Sequence, residues 1–207
     1  MQSLESRYYP TRSKRMYNFF AYMARMKLIR RWSLMKSVSD ENIAEHSAQV
    51  SEIAHALALI KNRRFGGTLN ADRVGMMALY HETSEVLTGD LPTPIKYYNP
   101  EIREAYKAIE STANEKLLSM LPEELEGDYR ELIEPAADSY EEILVKAADK
   151  ISAYIKCIEE LRSGNREFAK AEMSLRRAVE SYYVYDEVKY FCDTFLDSFK
   201  RTLDELE

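Results

Sequence analysis

Histidine is the scarcest reactive residue in this 207-residue chain, which contains only three. His46 and His81 both fall on apolar stripes of predicted helices, where a buried imidazole needs hydrogen-bond partners for its ring nitrogens. Each of them could be a core histidine bonded to a carbonyl or a tyrosine, or a ligand of a metal ion. His55 follows His46 by nine residues, which is about 900° around a helix and places it on the opposite face, so we expect it to face away from any site that His46 builds.

The residues that follow His81 favour the metal interpretation. On a regular helix, Glu82 lies about 100° from His81 and Glu85 about 40° from it, so one face presents an imidazole and two carboxylates. Unpaired buried carboxylates are costly, and histidines combined with carboxylates suit a divalent transition metal. A further ligand should come from another helix. Asp149 is a candidate in an alanine-rich stretch, although spacing alone does not distinguish it from the other aspartates.

Helices should position these residues, because apolar residues recur at helical spacing almost throughout and strand-like alternation is scarce. The sequence predicts an all-α, single-domain bundle of about seven to nine helices. Asn42 with Glu45, and Ser139 with Glu142, have the spacing of capping boxes at helix starts. The predicted helices cover residues 13–34, 42–62, 70–87, 100–120, 123–134, 139–162, 166–183 and 186–206. The residues expected on the buried faces of the first and fourth helices are Met16, Phe19, Phe20, Met23, Met26, Ile102, Tyr106, Ile109, Ala113 and Leu117.

Composition and charge exclude several classes of protein. Apolar residues make up 45% of the chain and charged residues 31%, which is typical of a globular protein. The net charge of −6 argues against binding of nucleic-acid polymers, since that affinity depends on Lys and Arg neutralising phosphates. No apolar run approaches the roughly 20 residues of a membrane span, and the N-terminus lacks the order of a signal peptide. We therefore expect a cytoplasmic protein with no membrane partner. Cys157 and Cys192 have no metal-binding spacing and are expected to stay reduced in a core.

Four short sequence motifs, which follow one another in a fixed order, resemble those of a known protein family. They are RW at 31–32, ENIAEHS at 41–47, YHETSEVLTGDLPTPIKY at 80–97, and KAAD at 146–149 followed by YIKC at 154–157. The order of His46, His81-Glu82 and Asp149 resembles the H…HD…D pattern of HD-domain phosphohydrolases. The flanking words resemble the bacterial 5′-deoxynucleotidases of the YfbR type. Because the likeness runs from about residue 17 nearly to the C-terminus, we expect an N-terminal extension at 1–15 and an HD domain at 16–207.

The resemblance implies a helical HD fold, a homodimer, one divalent metal ion such as Co²⁺ or Mn²⁺, and 2′-deoxyribonucleoside 5′-monophosphates as substrates. By position, Arg31 would orient the phosphate and act in catalysis, and Trp32 would pack against the sugar and disfavour a 2′-hydroxyl. Glu85 would be the acid/base residue. The implied metal ligands are His46, His81, Glu82 and Asp149. The implied substrate contacts are Arg31, Trp32, His46, Glu82, Asp90, Leu91, Pro92, Thr93 and Asp149.

Several of these residues also have a purely structural interpretation. Arg31 could be an ordinary basic residue at a helix end, and Trp32, the only tryptophan, could anchor the core. Glu85 could orient the imidazole of His81 instead of moving protons. Asp90 could cap a turn after Gly89.

The chain departs from the family pattern at the defining dyad, which reads His81-Glu82 instead of His-Asp. The extra methylene extends the carboxylate by about 1.5 Å. Either the helix or rotamer adjusts, or metal affinity or preference changes, or Glu82 swings away and leaves three ligands. We expect retained binding, since glutamate is a normal ligand for such metals. Two alternatives remain open: an HD phosphohydrolase acting on another small nucleotide or phosphate ester, and a catalytically weakened homologue that binds nucleotide or metal without turnover.

Overall fold

The computed structural model describes residues 16–96 and 98–207, so the predicted N-terminal extension at 1–15 lies outside the described residues. Within them the fold is all-α, as predicted, and the one strand-like feature is an isolated antiparallel bridge between Arg30 and Asn42. Seven described α-helices have nine residues or more, and three have four or five. They are α1 (Phe19–Met23), α2 (Ile43–Arg64), α3 (Ala71–Leu79), α4 (Glu85–Thr88), α5 (Thr93–Lys96), α6 (Pro100–Leu118), α7 (Glu123–Ile133), α8 (Tyr140–Arg162), α9 (Ala169–Glu180) and α10 (Asp186–Phe195). None of the helices in the described ranges combines the length and apolar character needed to cross a membrane.

The two longest helices, α2 and α8, pack in the larger of two hydrophobic cores. Their predicted apolar faces are buried: Val50, Leu57, Ile151 and Ile155 have no exposed surface. Helices α3 and α10 pack against the same core. Because close-packed cores deform little, side chains that project from α2 and α8 keep a nearly fixed separation.

A smaller core joins α1 to α6 and α7. Its buried members are Phe19, Leu117, Leu118, Leu121 and Ile133. Tyr80 packs against this core as well, and its ring centroid lies 6.4 Å from that of Phe19. The smaller core therefore anchors two chain segments: α1, which precedes Arg31, and Tyr80, which directly precedes His81.

The start of α2 is a complete capping box, as predicted. The Asn42 side chain accepts a hydrogen bond from Glu45 N at 3.0 Å, and the Glu45 carboxylate accepts one from Asn42 N at 3.3 Å. The second predicted box is only half formed. Ser139 caps the N–H of Glu142, but the Glu142 carboxylate accepts from Asp138 N instead of Ser139 N.

The helix predicted over residues 13–34 is wrong for most of its described length. Only Phe19–Met23 is α-helical, and a single 3₁₀ turn follows at Met26–Leu28. Met16 and Phe20, expected on the buried face, are 78% and 55% exposed.

Backbone pairing with the start of α2 prevents a helix from extending through residues 29–31. Ile43 N donates to Ile29 O and Arg31 N donates to Glu41 O, both at 3.0 Å. These bonds require an extended chain in both segments, so tertiary pairing overrides the local helical periodicity. The pairing also fixes Arg31 beside the N-terminus of α2.

The helix predicted over residues 70–87 is also wrong, because it is interrupted between α3 and α4 by turns over residues 80–84. His81 Nδ1 bonds to Ala78 O, and Thr83 Oγ1 donates to Tyr80 O, each at 2.6 Å. Side chains that bond to nearby carbonyls compete with helical N–H groups for the same acceptors. The candidate ligands in this segment therefore project from an irregular turn.

Two further predictions about burial and helix length are wrong. The helix expected over residues 186–206 is α-helical only to Phe195 and continues as short 3₁₀ turns. Leu203 and Leu206 are 82% and 56% exposed, so no packing stabilises a longer helix there. Ile109 of α6 is 53% exposed, because it lies about 60° around the helix from the line of the buried Tyr106, Ala113 and Leu117.

Candidate metal centre and active site

Four side chains from three separate segments meet at one point. His46 projects from α2, His81 and Glu82 from the turn after α3, and Asp149 from α8. Each offers one ligand atom, and these atoms all lie within 4.8 Å of one another. His46 Nε2 is 3.1 Å from Asp149 Oδ1, and His81 Nε2 is 3.4 Å from Glu82 Oε1. The structure thus brings together all four residues that the resemblance implies as ligands.

The hydrogen bonds of His46 determine which of its ring nitrogens carries a proton. Ser152 Oγ donates to Gln49 Oε1 at 2.6 Å and lies 3.1 Å from His46 Nδ1. A hydroxyl has a single proton, so Ser152 must accept from His46 Nδ1–H. The Nε2 lone pair of His46 is then free to point into the cluster. Burial and the nearby positive charge of Arg31 lower the pKa of His46, which favours this neutral form.

A different contact keeps a proton on Nδ1 of His81. Its Nδ1 lies 2.6 Å from the carbonyl oxygen of Ala78, and a carbonyl can only accept, so Nδ1 carries the proton. The Nε2 atoms of His46 and His81 are buried, and neither has a hydrogen-bond partner among the described residues.

In the neutral forms of both histidines, two Nε2 lone pairs face two carboxylates with no proton between them. This arrangement is repulsive unless a cation lies among the four atoms. The two negative charges of Glu82 and Asp149 together balance the charge of one divalent cation. Neutral imidazoles are common ligands of such ions. The donor set fits a divalent transition metal.

Glu85 lies next to this cluster at the first position of α4. It is 3% exposed, and its Oε2 has no hydrogen-bond partner among the described residues. Burial and the adjacent negative charge of Glu82 raise the pKa of Glu85. The protein therefore places a carboxyl group beside the four candidate ligands but outside their set.

Arg31 and Trp32 lie in the segment paired with the start of α2. Arg31 Nε and Trp32 Nε1 each donate to Glu41 Oε2 at 2.9 Å. The indole ring of Trp32 packs against Phe168, with ring centroids 5.3 Å apart. The guanidinium of Arg31 is attracted by the carboxylate of Asp149, one of the four candidate ligands. Arg31 therefore lies near the candidate metal site.

The segment after α4 contains the remaining candidate contacts. Gly89 adopts a φ of 73°, a left-handed conformation that glycine accommodates without strain, and it ends α4. Asp90, Leu91 and Pro92 follow and are half-buried. The backbone of Thr93 begins α5, but its side chain lies outside the described part of the structure.

His55 lies away from the cluster, as predicted. Its Nε2 is 3.3 Å from Asp72 Oδ1, and its side chain is 39% exposed.

Gln49, Ser152 and Glu41 were not predicted as site residues. Gln49 follows His46 by three residues and Ser152 follows Asp149 by three, so each shares a helix face with a candidate ligand. This three-residue spacing could have identified Gln49 and Ser152 as neighbours of the candidate ligands. Glu41 offered no comparable signal, since its contacts depend on the backbone pairing of residues 29–31 with 41–43.

Comparison with known proteins places this chain among similar sequences over nearly its whole length. Residues 18–199 match the family described as 5′-deoxynucleotidase YfbR-like. The chain is 57% identical to a 5′-deoxynucleotidase of Vibrio cholerae over 190 residues, which cover 91% of this chain and 97% of that protein. It is 52% identical to a 5′-deoxynucleotidase of Pectobacterium atrosepticum, with coverage of 91% and 95%.

Solved structures share the fold at lower sequence identity. An HD-domain phosphohydrolase from Listeria innocua superposes with a TM-score of 0.78 at 24% identity, covering 88% of each chain. The cyanophage S-2L HD phosphohydrolase, described as bound to dA and one catalytic Zn²⁺ ion, gives a TM-score of 0.61 at 19% identity and covers 86% of this chain and 96% of its own. The helical HD fold is therefore confirmed. Given the family match and the relatives above 50% identity, the chain belongs to the YfbR-like family of 5′-deoxynucleotidases.

Proposed function

We propose that this protein is a metal-dependent 5′-deoxynucleotidase, which hydrolyses 2′-deoxyribonucleoside 5′-monophosphates to deoxynucleosides and inorganic phosphate. The observation that carries the proposal is the convergence of two buried imidazole nitrogens, neither with a hydrogen-bond partner among the described residues, with two carboxylates. A fold and a metal site do not by themselves select a substrate. The choice of a deoxynucleotide is supported by the names of the relatives from Vibrio cholerae and Pectobacterium atrosepticum.

The proposed cofactor is one divalent ion, Co²⁺ or Mn²⁺, which His46, His81, Glu82 and Asp149 would hold. A single ion is supported by the one catalytic Zn²⁺ in the description of the cyanophage S-2L neighbour. When bound, such an ion polarises the phosphoryl group and lowers the pKa of an attacking water.

Arg31 is the proposed phosphate-binding residue and contributes to catalysis. Its planar guanidinium matches the geometry of phosphate oxygens and retains its charge at all relevant pH values. Arg31 Nε donates its hydrogen bond to Glu41, so the two terminal nitrogens of Arg31 would be the donors to two phosphate oxygens. The positive charge would offset the negative charge that develops on the phosphoryl oxygens during attack.

Trp32 is the proposed sugar-contacting residue. Its indole N–H is already bonded to Glu41, so the ring would meet the substrate as an apolar surface. A 2′-hydroxyl against that surface would lose water without gaining a partner, which disfavours ribonucleotides. The adjoining loop of Asp90, Leu91, Pro92 and Thr93 is proposed to contact the rest of the nucleoside.

Glu85 is the proposed acid/base residue. Its buried Oε2 lacks a partner within the described ranges and lies beside the ligand cluster, so this atom can hold or accept a proton there. Protonation of the leaving 5′-oxygen by a positioned carboxyl group would assist departure of the deoxynucleoside.

The resemblance also supports two further proposals, a homodimer and a cytoplasmic location. Light scattering coupled to size-exclusion chromatography tests the homodimer, for which we expect twice the 24.1 kDa mass of one chain.

Phosphate release from a panel of deoxy- and ribonucleoside monophosphates tests the proposed activity. Chelator-treated protein is assayed with no metal, with Mn²⁺ and with Co²⁺. We expect release that requires metal and prefers deoxynucleotides. Asp149→Ala should abolish the metal-dependent rate, because it removes a ligand, whereas His55→Ala, outside the cluster, should retain it.

Two other outcomes would contradict the proposal in distinct ways. Release only from unrelated phosphate esters would indicate an HD phosphohydrolase with another substrate. Tight nucleotide binding without turnover would indicate a weakened homologue, the alternative that Glu82 in place of aspartate raises.

A further inference from the structure

A single carboxylate oxygen joins the two residues proposed to recognise phosphate and sugar. Glu41 Oε2 accepts from Arg31 Nε and from Trp32 Nε1, both at 2.9 Å. The side chains of Arg31 and Glu41 are 12% and 13% exposed, so water screens this contact only weakly. Hydrogen bonds to an ionised acceptor in such surroundings are stronger than those between neutral groups.

The backbone reinforces the same arrangement. Arg31 N donates to Glu41 O at 3.0 Å, and Arg30 forms a bridge with Asn42. Trp32 adopts a φ of 57°, in the left-handed region that bulky residues rarely occupy. Such a conformation persists only where the surroundings hold it in place. The hydrogen bond to Glu41 and the ring contact with Phe168 are the described side-chain interactions that hold the indole.

We infer that Glu41 is a positioning residue, which orients Arg31 and Trp32 as one unit and so couples phosphate binding to discrimination against ribonucleotides. This inference rests on the roles proposed above for those two residues. Glu41 is not among the four candidate ligands. A carboxylate would repel a phosphate, so direct contact with the substrate phosphate is disfavoured. Its effect on substrates must therefore pass through the two side chains that it holds.

The ratio of kcat/KM for a deoxynucleotide to that for the matching ribonucleotide separates positioning from simple stabilisation. Loss of folded protein lowers both values equally and leaves their ratio unchanged. A misplaced indole lowers the ratio itself. We expect Glu41→Ala to reduce the ratio by about tenfold and to raise KM, because Trp32 and Arg31 both lose a charged hydrogen-bond partner.

Conservative and matched variants sharpen this test. Glu41→Gln keeps an acceptor oxygen and should restore part of the ratio. Glu52→Ala, an exposed glutamate on α2, should leave it unchanged. In a Trp32→Ala background, adding Glu41→Ala should change the ratio no further.

An unchanged ratio in Glu41→Ala, alongside a reduced ratio in Trp32→Ala, overturns the inference and leaves the proposed function standing. A further fall in the double variant overturns it too, since Glu41 would then act independently of Trp32.

Fluorescence provides a readout that does not depend on activity. Trp32 is the only tryptophan, so emission excited at the red edge of indole absorption, where the 15 tyrosines absorb little, reports the environment of Trp32. We expect a shifted emission maximum and lower anisotropy in Glu41→Ala but not in Glu52→Ala. Emission and anisotropy equal to those of the unaltered protein would overturn the inference even if no nucleotide proved to be a substrate.

Discussion

Glu160 on α8 fixes the loop that follows Trp32. Its carboxylate accepts hydrogen bonds from the backbone N–H groups of Val38 at 2.8 Å and Ser39 at 3.2 Å. It also accepts from Lys156 Nζ at 2.6 Å and Asn165 Nδ2 at 2.7 Å. Glu160 is only 1% exposed. Replacing it with glutamine should therefore leave the buried Lys156 ammonium without its charged partner.

The pKa of Glu160 sets the size of the expected loss. Burial disfavours its ionisation, but the hydrogen bonds from Lys156, Val38, Asn165 and Ser39 together lower the pKa from 4.5 to about 2. At about 1.4 kcal/mol per pKa unit, this difference corresponds to roughly 3 kcal/mol of folding free energy at neutral pH. The usual cost of removing one partner of a buried ion pair is similar, about 3–5 kcal/mol.

Urea unfolding of Glu160→Gln, followed by circular dichroism, tests this value. We expect the free energy of unfolding at pH 7 to fall by about 3 kcal/mol, and by less than about 0.5 kcal/mol in the exposed neighbour Glu159→Gln. Because the folded-state pKa of Glu160 is depressed, its stabilisation is complete above about pH 4.5 and is lost as pH falls toward 2. The difference between the two proteins should shrink accordingly. A loss below about 1 kcal/mol, or one that is constant from pH 7 to pH 3.5, would show that the ionised Glu160 carboxylate does not stabilise the fold in this way.

Three further predictions concern the candidate metal site and the cysteines. Ser152→Ala removes the acceptor of the His46 Nδ1 proton and should weaken Mn²⁺ binding by about 10–100-fold, measured by calorimetric titration; unchanged affinity would contradict the assigned tautomer. Glu82→Asp keeps the carboxylate and should change the Mn²⁺ dissociation constant by less than about tenfold, whereas Glu82→Ala should raise it more than about a hundredfold; similar constants for both variants would show that Glu82 is not a ligand. Burial raises the pKa of Cys157 to about 12 and that of Cys192 to about 11, so both thiols should resist alkylation at pH 8 and react only in denaturant, as mass spectrometry can measure; rapid labelling of the native protein would contradict their burial.

The helices that form the larger core could be predicted closely from sequence. The apolar periodicity of α2 and α8 continues over more than twenty residues, and the capping box at Asn42 marks the start of α2. Long buried helices are well described by local periodicity because their packing face and their sequence pattern coincide. The segments at 13–34 and 70–87 could not be predicted in the same way. Tertiary pairing at residues 29–31 and side-chain bonds to carbonyl groups after α3 hold parts of these segments in non-helical conformations.

The residues of the candidate site could likewise be predicted from sequence only in part. His46, His81 and Glu82 could be selected because a reactive residue on an apolar face needs a partner. Asp149 was selected only through family resemblance, since no local pattern sets it apart from other aspartates. The role inferred for Glu41 requires three-dimensional contacts, because both of its side-chain partners lie about ten residues away in a segment with no regular periodicity.

Metal stoichiometry is the most direct test of the proposed centre. Protein stripped with a chelator is dialysed against Mn²⁺ and analysed by mass spectrometry of its metal content. We expect one ion per chain in the unaltered protein and in His55→Ala. A variant that combines His46→Ala with Asp149→Ala should retain none. Failure of the unaltered protein to retain an ion, or equal retention by the double variant, would contradict the proposal that these four side chains form a metal site.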